Sequence, residues 1–427
     1  MPQLLIADIV ATLKEVLLPY VQDNFPKKTI LLDQMKRDSD TLVMNDEFLA
    51  PVYTTRHGGV ANLANDGGTV VSSGGRDTSR ATVSVEIVTG ALNISKLAID
   101  ASKSNALAVQ NSLQAQTETL TKDFARHVNR QLYGGGDGVV SKVRTTGGSV
   151  GTGTIAVEAI ATSEAGYGTI DDGRAVDYYG TINGDISPTK YFAVDQVIGV
   201  GTAAAAVGTI TGVTGTAIVS GAPTAIVTAA DDAVYIIDGG GAGAGTSEIL
   251  GIRAALSSST GTSTYAGLAR NTVGWTPSFG SASAALTLAR LETMDGDVQE
   301  YADAEDKYII LLNKTLYRKY GDLLTAMRRT VNQADLLGGW KGLEFAAGGN
   351  VVGVFRDYDV PDGEVLLINL DTWKITQVSD TSWMEDPSGG GLLRLQNTLQ
   401  YQAVMHWFVN ALCLAPAANA KETRKNA

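Results

Sequence analysis

Side chains able to do chemistry are few in this sequence and widely scattered. The three histidines, His57, His127 and His406, lie far apart along the chain, so no local spacing supplies a zinc site or a paired-histidine catalyst. The one cysteine, Cys413, excludes an internal disulfide and any cysteine-rich zinc site. Gly239 to Gly245 read GGGAGAG after the apolar run AVYIID, which superficially resembles a phosphate-cradling glycine loop. No helix signal opens after it and no phosphate-loop lysine is present, so a flexible turn is the better assignment. The acid pairs Asp171–Asp172 and Asp231–Asp232 lack the alternating-acid spacing and closing glutamate of a calcium loop, and read as turn residues. No constellation rises to an active site. The sequence implies no enzyme, no metal and no cofactor.

Composition narrows the class further. The charge sum is 33 − 45 = −12, and an acidic chain is a poor generic ligand for nucleic acid because it cannot displace phosphate counterions. Apolar residues make up 44% and charged residues 18%, too apolar and too charge-poor for a disordered protein. More than one residue in nine is glycine (48 of 427) with only 10 prolines, which points to many turns and β structure. At roughly 100–200 residues per domain, the length implies two to four packing units.

The N-terminus, MPQLLIADIVATLKEVLLPYVQDNF, has no cationic stretch before its apolar residues and does not read as a secretory signal. Residues 196–230 carry no charge and include the Gly/Thr-rich run VGTAAAAVGTITGVTGTAIVSG, a texture that suits short strands better than a membrane helix. The expectation is a soluble chain made in a reducing cytosol, with no membrane partner.

The elements follow from periodicity. Leu5, Ile9, Leu13, Val16 and Leu17 form a helical stripe stopped by Pro19 and Pro26, an arm that needs a surface for its apolar side. FLAPVYTTRHGGV (48–60) and ATVSVEIVTGALNISKLAI (81–99) read as two strands joined by a long excursion of small residues. Such a hairpin is marginal alone and leans on a neighbour. Arg56, Arg76, Asp77 and Arg80 fall at its tip, where they could pair across subunits.

The strongest helix signal is Leu113, Leu120, Phe124, Val128 and Leu132, closed by Gly134 to Gly136 with Ser102 and Ser104 as candidate N-caps. Its 28 or so residues give about 42 Å. The opposite face carries Gln110, Gln114, Glu118, Lys122, Arg126 and Arg130 and reads as solvated, with Glu118 and Arg126 also taken as candidate subunit contacts. Residues 146–264 are Gly/Thr/Ala/Val-rich and read as an inserted β unit. Beyond it come a helix from Ser283, a buried strand KYIILLN, and a helix on Leu316, Tyr320, Leu323, Leu324 and Met327. Short strands follow, then a polar tail, KETRKNA, expected to be exposed. The fold class is α+β.

This series of parts resembles the tailed-bacteriophage major capsid proteins of the Hong Kong 97 type. The more specific stretches are TYAGLARNTVGW (264–275), VFRDYDVPDGEVLLINLDTW (354–373) and LRLQNTLQYQAVMHWFVNALCLAP. The likeness implies an N-arm over 1–47, an extended E-loop over 48–88, and a P-domain from 89–145 with 375–427 built on the spine helix at about 104–133. It further implies an inserted β-rich domain over 146–264 and an A-domain over 265–374. It implies a shell of hexamers and pentamers around double-stranded DNA that is held without sequence readout. Partners would be other copies, a portal at one vertex, a separate scaffolding protein (the arm starts at Met1) and, optionally, a decoration protein. Localisation would be the virion, with host cytoplasm during assembly. An encapsulin-like cargo compartment on the same fold is the alternative; a secreted β-rich adhesin conflicts with the N-terminus. Some members of the family cross-link through an E-loop lysine, yet no lysine lies between Lys36 and Lys96, so cohesion must be non-covalent.

Overall fold

A computed structural model describes residues 30–62, 70, 72, 74–96, 106–136, 139–142, 197–202, 205–214, 217–220, 233–237, 248–257, 263–282, 284–303, 306–326, 333–335, 341–347, 350–357, 359–361, 363–385, 393–394, 398–423 and 425–426. The expected helix at 4–18, the glycine string 239–245 and both aspartate pairs lie outside these residues.

The described chain opens with α1 (Ile30–Gln34), β1 (Lys36–Asp38), β2 (Leu42–Met44) and β3 (Glu47–Tyr53). Ile30, Leu31, Leu32 and Met35 are buried in the larger of two cores, so this portion of the segment expected to form an arm packs on its own body. Residues 97–99 of the strand expected over 81–99 lie outside the described residues; the rest divides between two strands, β4 (Thr78–Ser84) and β5 (Glu86–Ser95). They part at Val85, whose N–H donates to the Asp46 carbonyl. β4 pairs with β3, and β2–β3–β4 form a small antiparallel sheet. β5 instead joins the main body.

Helix α2 (Ala106–Tyr133) follows, at the place its apolar period requires. Phe124, Val128 and Leu132 are buried and Leu120 packs against the same core. Gly90 of β5 explains how close helix and sheet can come: a Cβ there would stand 3.3 Å from both Leu120 and Phe124 side chains. Arg130, expected in solvent, is a correction. It forms a charge-assisted pair with buried Glu248.

The insertion contributes β6 (Val139–Lys142), β7 (Val197–Thr202), β8 (Ala205–Thr214), β9 (Ala217–Ser220) and β10 (Ala233–Ile237), an antiparallel sheet in the order β6-β10-β7-β8-β9. Ile249 lies in the main core, as do Ile252 and Ala255 of α3 (Ile252–Ala255). Gly251 is held against α2 so closely that a Cβ would overlap the Gln131 and Leu132 carbonyl oxygens.

A turn-rich stretch holds β11 (Thr264–Tyr265) and β12 (Leu268–Ala269), then β13 (Ser278–Gly280) and β14 (Ala284–Ala285). Arg270 is buried here and donates to the Ala254 and Ala255 carbonyls, tying the turn to α3. The helix expected from Ser283 starts later, as α4 (Leu288–Gln299), because Ala284 and Ala285 are drawn into a strand pair. Next come β15 (Tyr308–Leu312), α5 (Lys314–Ala326), β16 (Gln333–Asp335), β17 (Lys341–Ala347), β18 (Asn350–Arg356) and β19 (Val365–Asn369).

The C-terminal stretch supplies β20 (Trp373–Gln377), β21 (Ser382–Trp383), β22 (Leu393–Arg394), β23 (Gln400–Cys413), β24 (Ala420–Glu422) and β25 (Lys425–Asn426). The long strand β23 organises the main sheet: β5 pairs along it from Gln400 to Val409, while β20, β21 and β22 also pair with it.

The second sheet runs β13-β24-β19-β15-β18-β17-β16. Its strands alternate as buried strands must. Ile310, Leu312, Val365 and Leu367 join the core beneath α4 and α5, whereas Ile309, Leu311, Leu366 and Ile368 join the main core. The polar tail is the largest correction. Lys421, Glu422, Thr423 and Lys425 are buried, because β24 runs inside this second sheet, where Lys421 pairs with Glu364 and Glu422 with Arg290 and Lys425, and Lys425 also donates to the Ala282 carbonyl. β24 therefore pairs within the second sheet, and β25 pairs with β14. The α+β class read from the sequence is the class observed.

Candidate functional site

The feature that most needs a partner is the β2–β3–β4 sheet. It starts from a two-residue turn, Asn45–Asp46, whose φ angles of 52° and 61° are those of a tight hairpin that Asn and Asp tolerate. The inner end is anchored by buried Phe48, Ala81 and Val83. Thr82 N–H also donates to the Ala266 carbonyl at 2.9 Å, and Gly267, at φ +75°, leaves just enough room beside Thr82.

The base is fastened by Asn410. Its Nδ2 donates to the Ser84 carbonyl at 2.7 Å, and its Oδ1 accepts from the Leu250 and Ala411 N–H groups at 2.8 Å. Glu86 sits beside this joint, accepting from the Ser84 hydroxyl at 2.5 Å, and burial pushes its carboxyl above the ordinary value.

Away from that base, burial runs out. Leu42, Val43 and Met44 are 64%, 42% and 55% exposed, and β2 is an edge strand with β3 on one side. Three consecutive exposed apolar residues on an open edge are a ready surface for strand or side-chain pairing. Sequence reasoning missed this strand; the signal was the Asn-Asp turn between two β-forming runs.

Four of the six expected contact residues gather at the outer end. Arg56, Arg76, Asp77 and Arg80 are all exposed. The strands close by Thr54 N–H donating to the Asp77 carbonyl (3.1 Å) and Asp77 N–H donating to Thr55 Oγ1 (2.9 Å). The Arg76 guanidinium lies 5.1 Å from the Tyr53 ring centroid, a cation–π arrangement that holds both side chains outward. The backbones of Gly58 and Gly74 touch, since a Cβ at Gly58 would be 3.7 Å from the Gly74 Cα. The other two expected residues are on α2: Glu118 is half-buried and Arg126 exposed. The structure therefore divides the six between two elements.

The chemistry-bearing groups stay apart. His57 accepts from Gly59 N–H at 3.0 Å, His127 Nε2 lies 2.7 Å from Gln131 Nε2, and His406 Nε2 lies 3.3 Å from Ser382 Oγ. Burial pushes the Cys413 thiol up to about 12, so it is held as an unreactive thiol. Among the described residues, no three His, Cys, Asp or Glu side chains are grouped to hold a metal ion, and no helix is long and apolar enough to cross a membrane.

No protein-family model matches the chain, and no curated protein matches it. Among solved structures it is similar to the cyanophage A-1(L) capsid asymmetric unit, at 11% identity over 92% of this chain and 91% of that one, with a TM-score of 0.49. It is also similar to the capsid structure of cyanophage P-SCSP1u, at 8% identity over 94% and 89%, TM-score 0.43. A shorter similarity joins it to the holo-SrpI encapsulin complex from Synechococcus elongatus PCC 7942, at 15% identity over 35% and 53%, TM-score 0.24.

Proposed function

We propose that this chain is a major capsid protein of the Hong Kong 97 type, the repeating subunit of an icosahedral shell of hexamers and pentamers around double-stranded DNA. The observation that carries the reading is the β2–β3–β4 sheet, which ends in exposed Leu42, Val43, Met44, Tyr53, Arg56, Arg76 and Arg80 and has a fastened base. It stands in the order of parts that the resemblance implies: E-loop, spine helix, inserted β unit, then a helix-and-sheet unit.

The E-loop would lie across a neighbouring copy and bury there what a single copy leaves in water. Weak contacts repeated by every subunit add through multivalency, and symmetry makes each contact recur. The net charge of −12 suits a lining that does not grip DNA. A separate scaffolding protein, a portal and an optional decoration protein complete the proposed set of partners, with assembly in host cytoplasm.

Sedimentation velocity and negative-stain microscopy of the purified full chain, alone and co-expressed with its neighbouring genes, test this. Rings and closed shells are expected. A single-chain species at every concentration and under every co-expression condition overturns it.

A further inference from the structure

Two helices lie on one face of the second sheet and share its core: Leu288, Leu291, Met294 and Val298 from α4, and Leu316, Tyr320 and Leu324 from α5. α4 packs over β24 and β13, toward one edge of the sheet, and α5 over β15 and β18, farther across it. Their solvent faces have opposite charge. On α4 and its C-terminal cap, Glu292, Asp297 and Glu300 are exposed, while the helix's cation, Arg290, is taken up by Glu422 at 2.5 Å. On α5, Lys314 and Arg318 are exposed and Lys319 is half-exposed, against one exposed acid, Asp322. Tyr301, just past α4, is an exposed aromatic ring at the acidic side.

We propose that the acidic face of α4 in one copy docks against the basic face of α5 in the next copy, a head-to-tail contact repeated around a ring. The proposal rests on the shell-subunit reading and names one contact within it. A two-fold pairing of α4 with α4, or of α5 with α5, sets like charges against each other and is disfavoured. A contact between two different patches on identical subunits propagates in one rotational direction and closes into a ring when the angle allows. The attraction is between solvent-facing charges, so it weakens as salt shortens the Debye length.

Charge reversal gives a test with its own control. One variant carries Glu292→Lys and Glu300→Lys, making both helices basic; the other carries Lys314→Glu and Arg318→Glu, making both acidic. Each full-length variant alone is expected to lose ring and shell formation by at least tenfold in sedimentation velocity, with an unchanged melting temperature. An equimolar mixture is expected to recover rings, because alternating copies restore every contact. Only even-numbered rings can alternate, so six-membered rings return and five-membered rings do not.

Variants that assemble like the parent overturn the proposal. So do variants that fail alone and are not rescued by mixing, whether through misfolding or another route. A parent chain that never assembles overturns the shell reading itself, which separates the two failures.

Discussion

The Lys421 ammonium lies 2.8 Å from the Glu364 carboxylate, with the two side chains 1% and 3% exposed. Burial pushes the Glu364 carboxyl up and the Lys421 amine down, and each is opposed by the other's charge. A pair so placed is costly to break on one side. Lys421→Met is expected to destabilise the chain by about 3–5 kcal/mol, because it leaves a buried carboxylate without its partner. Lys421→Met combined with Glu364→Leu is expected to cost less than the single change, as urea unfolding of both variants would show.

A second pair of ion contacts sets a dependence on acid. β1 and β20 run parallel with Lys36 opposite Lys374. Lys374 reaches Asp38 at 2.7 Å and Lys36 pairs with Asp371. Hydrogen bonding from these lysines holds both aspartates below the ordinary value of 3.8. A carboxyl with a depressed folded-state value binds fewer protons folded than unfolded, so it adds stability above 3.8 that is lost as pH falls through the depressed value. Thermal melts of the parent should therefore fall more steeply below pH 3.8 than those of Asp38→Asn with Asp371→Asn.

Gly251 tests the contact between α3 and the spine helix. Its backbone is pressed to the Gln131 and Leu132 carbonyls, which are main-chain atoms and cannot rotate away. Gly251→Ala is expected to cost about 3 kcal/mol, the upper end of overpacking penalties. Gly75→Ala, where a Cβ would meet nothing within 4 Å, is the matched control and should melt near the parent.

The outer end of the β2–β3–β4 sheet separates folding from assembly. Deleting residues 60–73 joins Gly59 to Gly74, whose neighbourhood already brings the two strands into backbone contact. The paired residues Glu47–Tyr53 and Thr78–Ser84 remain. The melting temperature is expected to stay within a few degrees of the parent while closed shells disappear from micrographs. Normal shells would show that the excursion makes no essential contact between copies.

Elements governed by local pattern were legible in the sequence, and pairings governed by distant residues were not. The spine helix follows from Leu120, Phe124, Val128 and Leu132, whose spacing fixes both its period and its inner face. The run 81–99 was legible as β structure, but nothing local marks Val85 as the place where β4 turns to β3 and β5 to β23. The tail at 421–427 read as exposed because its charges look solvated. What buries them, Glu364, Arg290 and the Ala282 carbonyl, comes from more than fifty residues away. Arg56, Arg76, Asp77 and Arg80 could be placed at a tip by residue type and turn position. The exposed β2 strand beside them went unread, because three residues are too short for an alternation to register.

The position of β24 inside the second sheet governs the timing of folding. β13 is joined to β19 through β24, so a ribosome that has released residues 278–369 has delivered both flanks of a seam with nothing yet to fill it. The seam closes when residues 420–422 arrive, and β14 gains its partner after Asn426. Contacts this distant in sequence form late and slowly. Vectorial synthesis thus leaves an interval in which α4 covers an unfinished sheet whose open strand edges are exposed to neighbouring nascent chains, and pairing of β24 with β13 and β19 closes it.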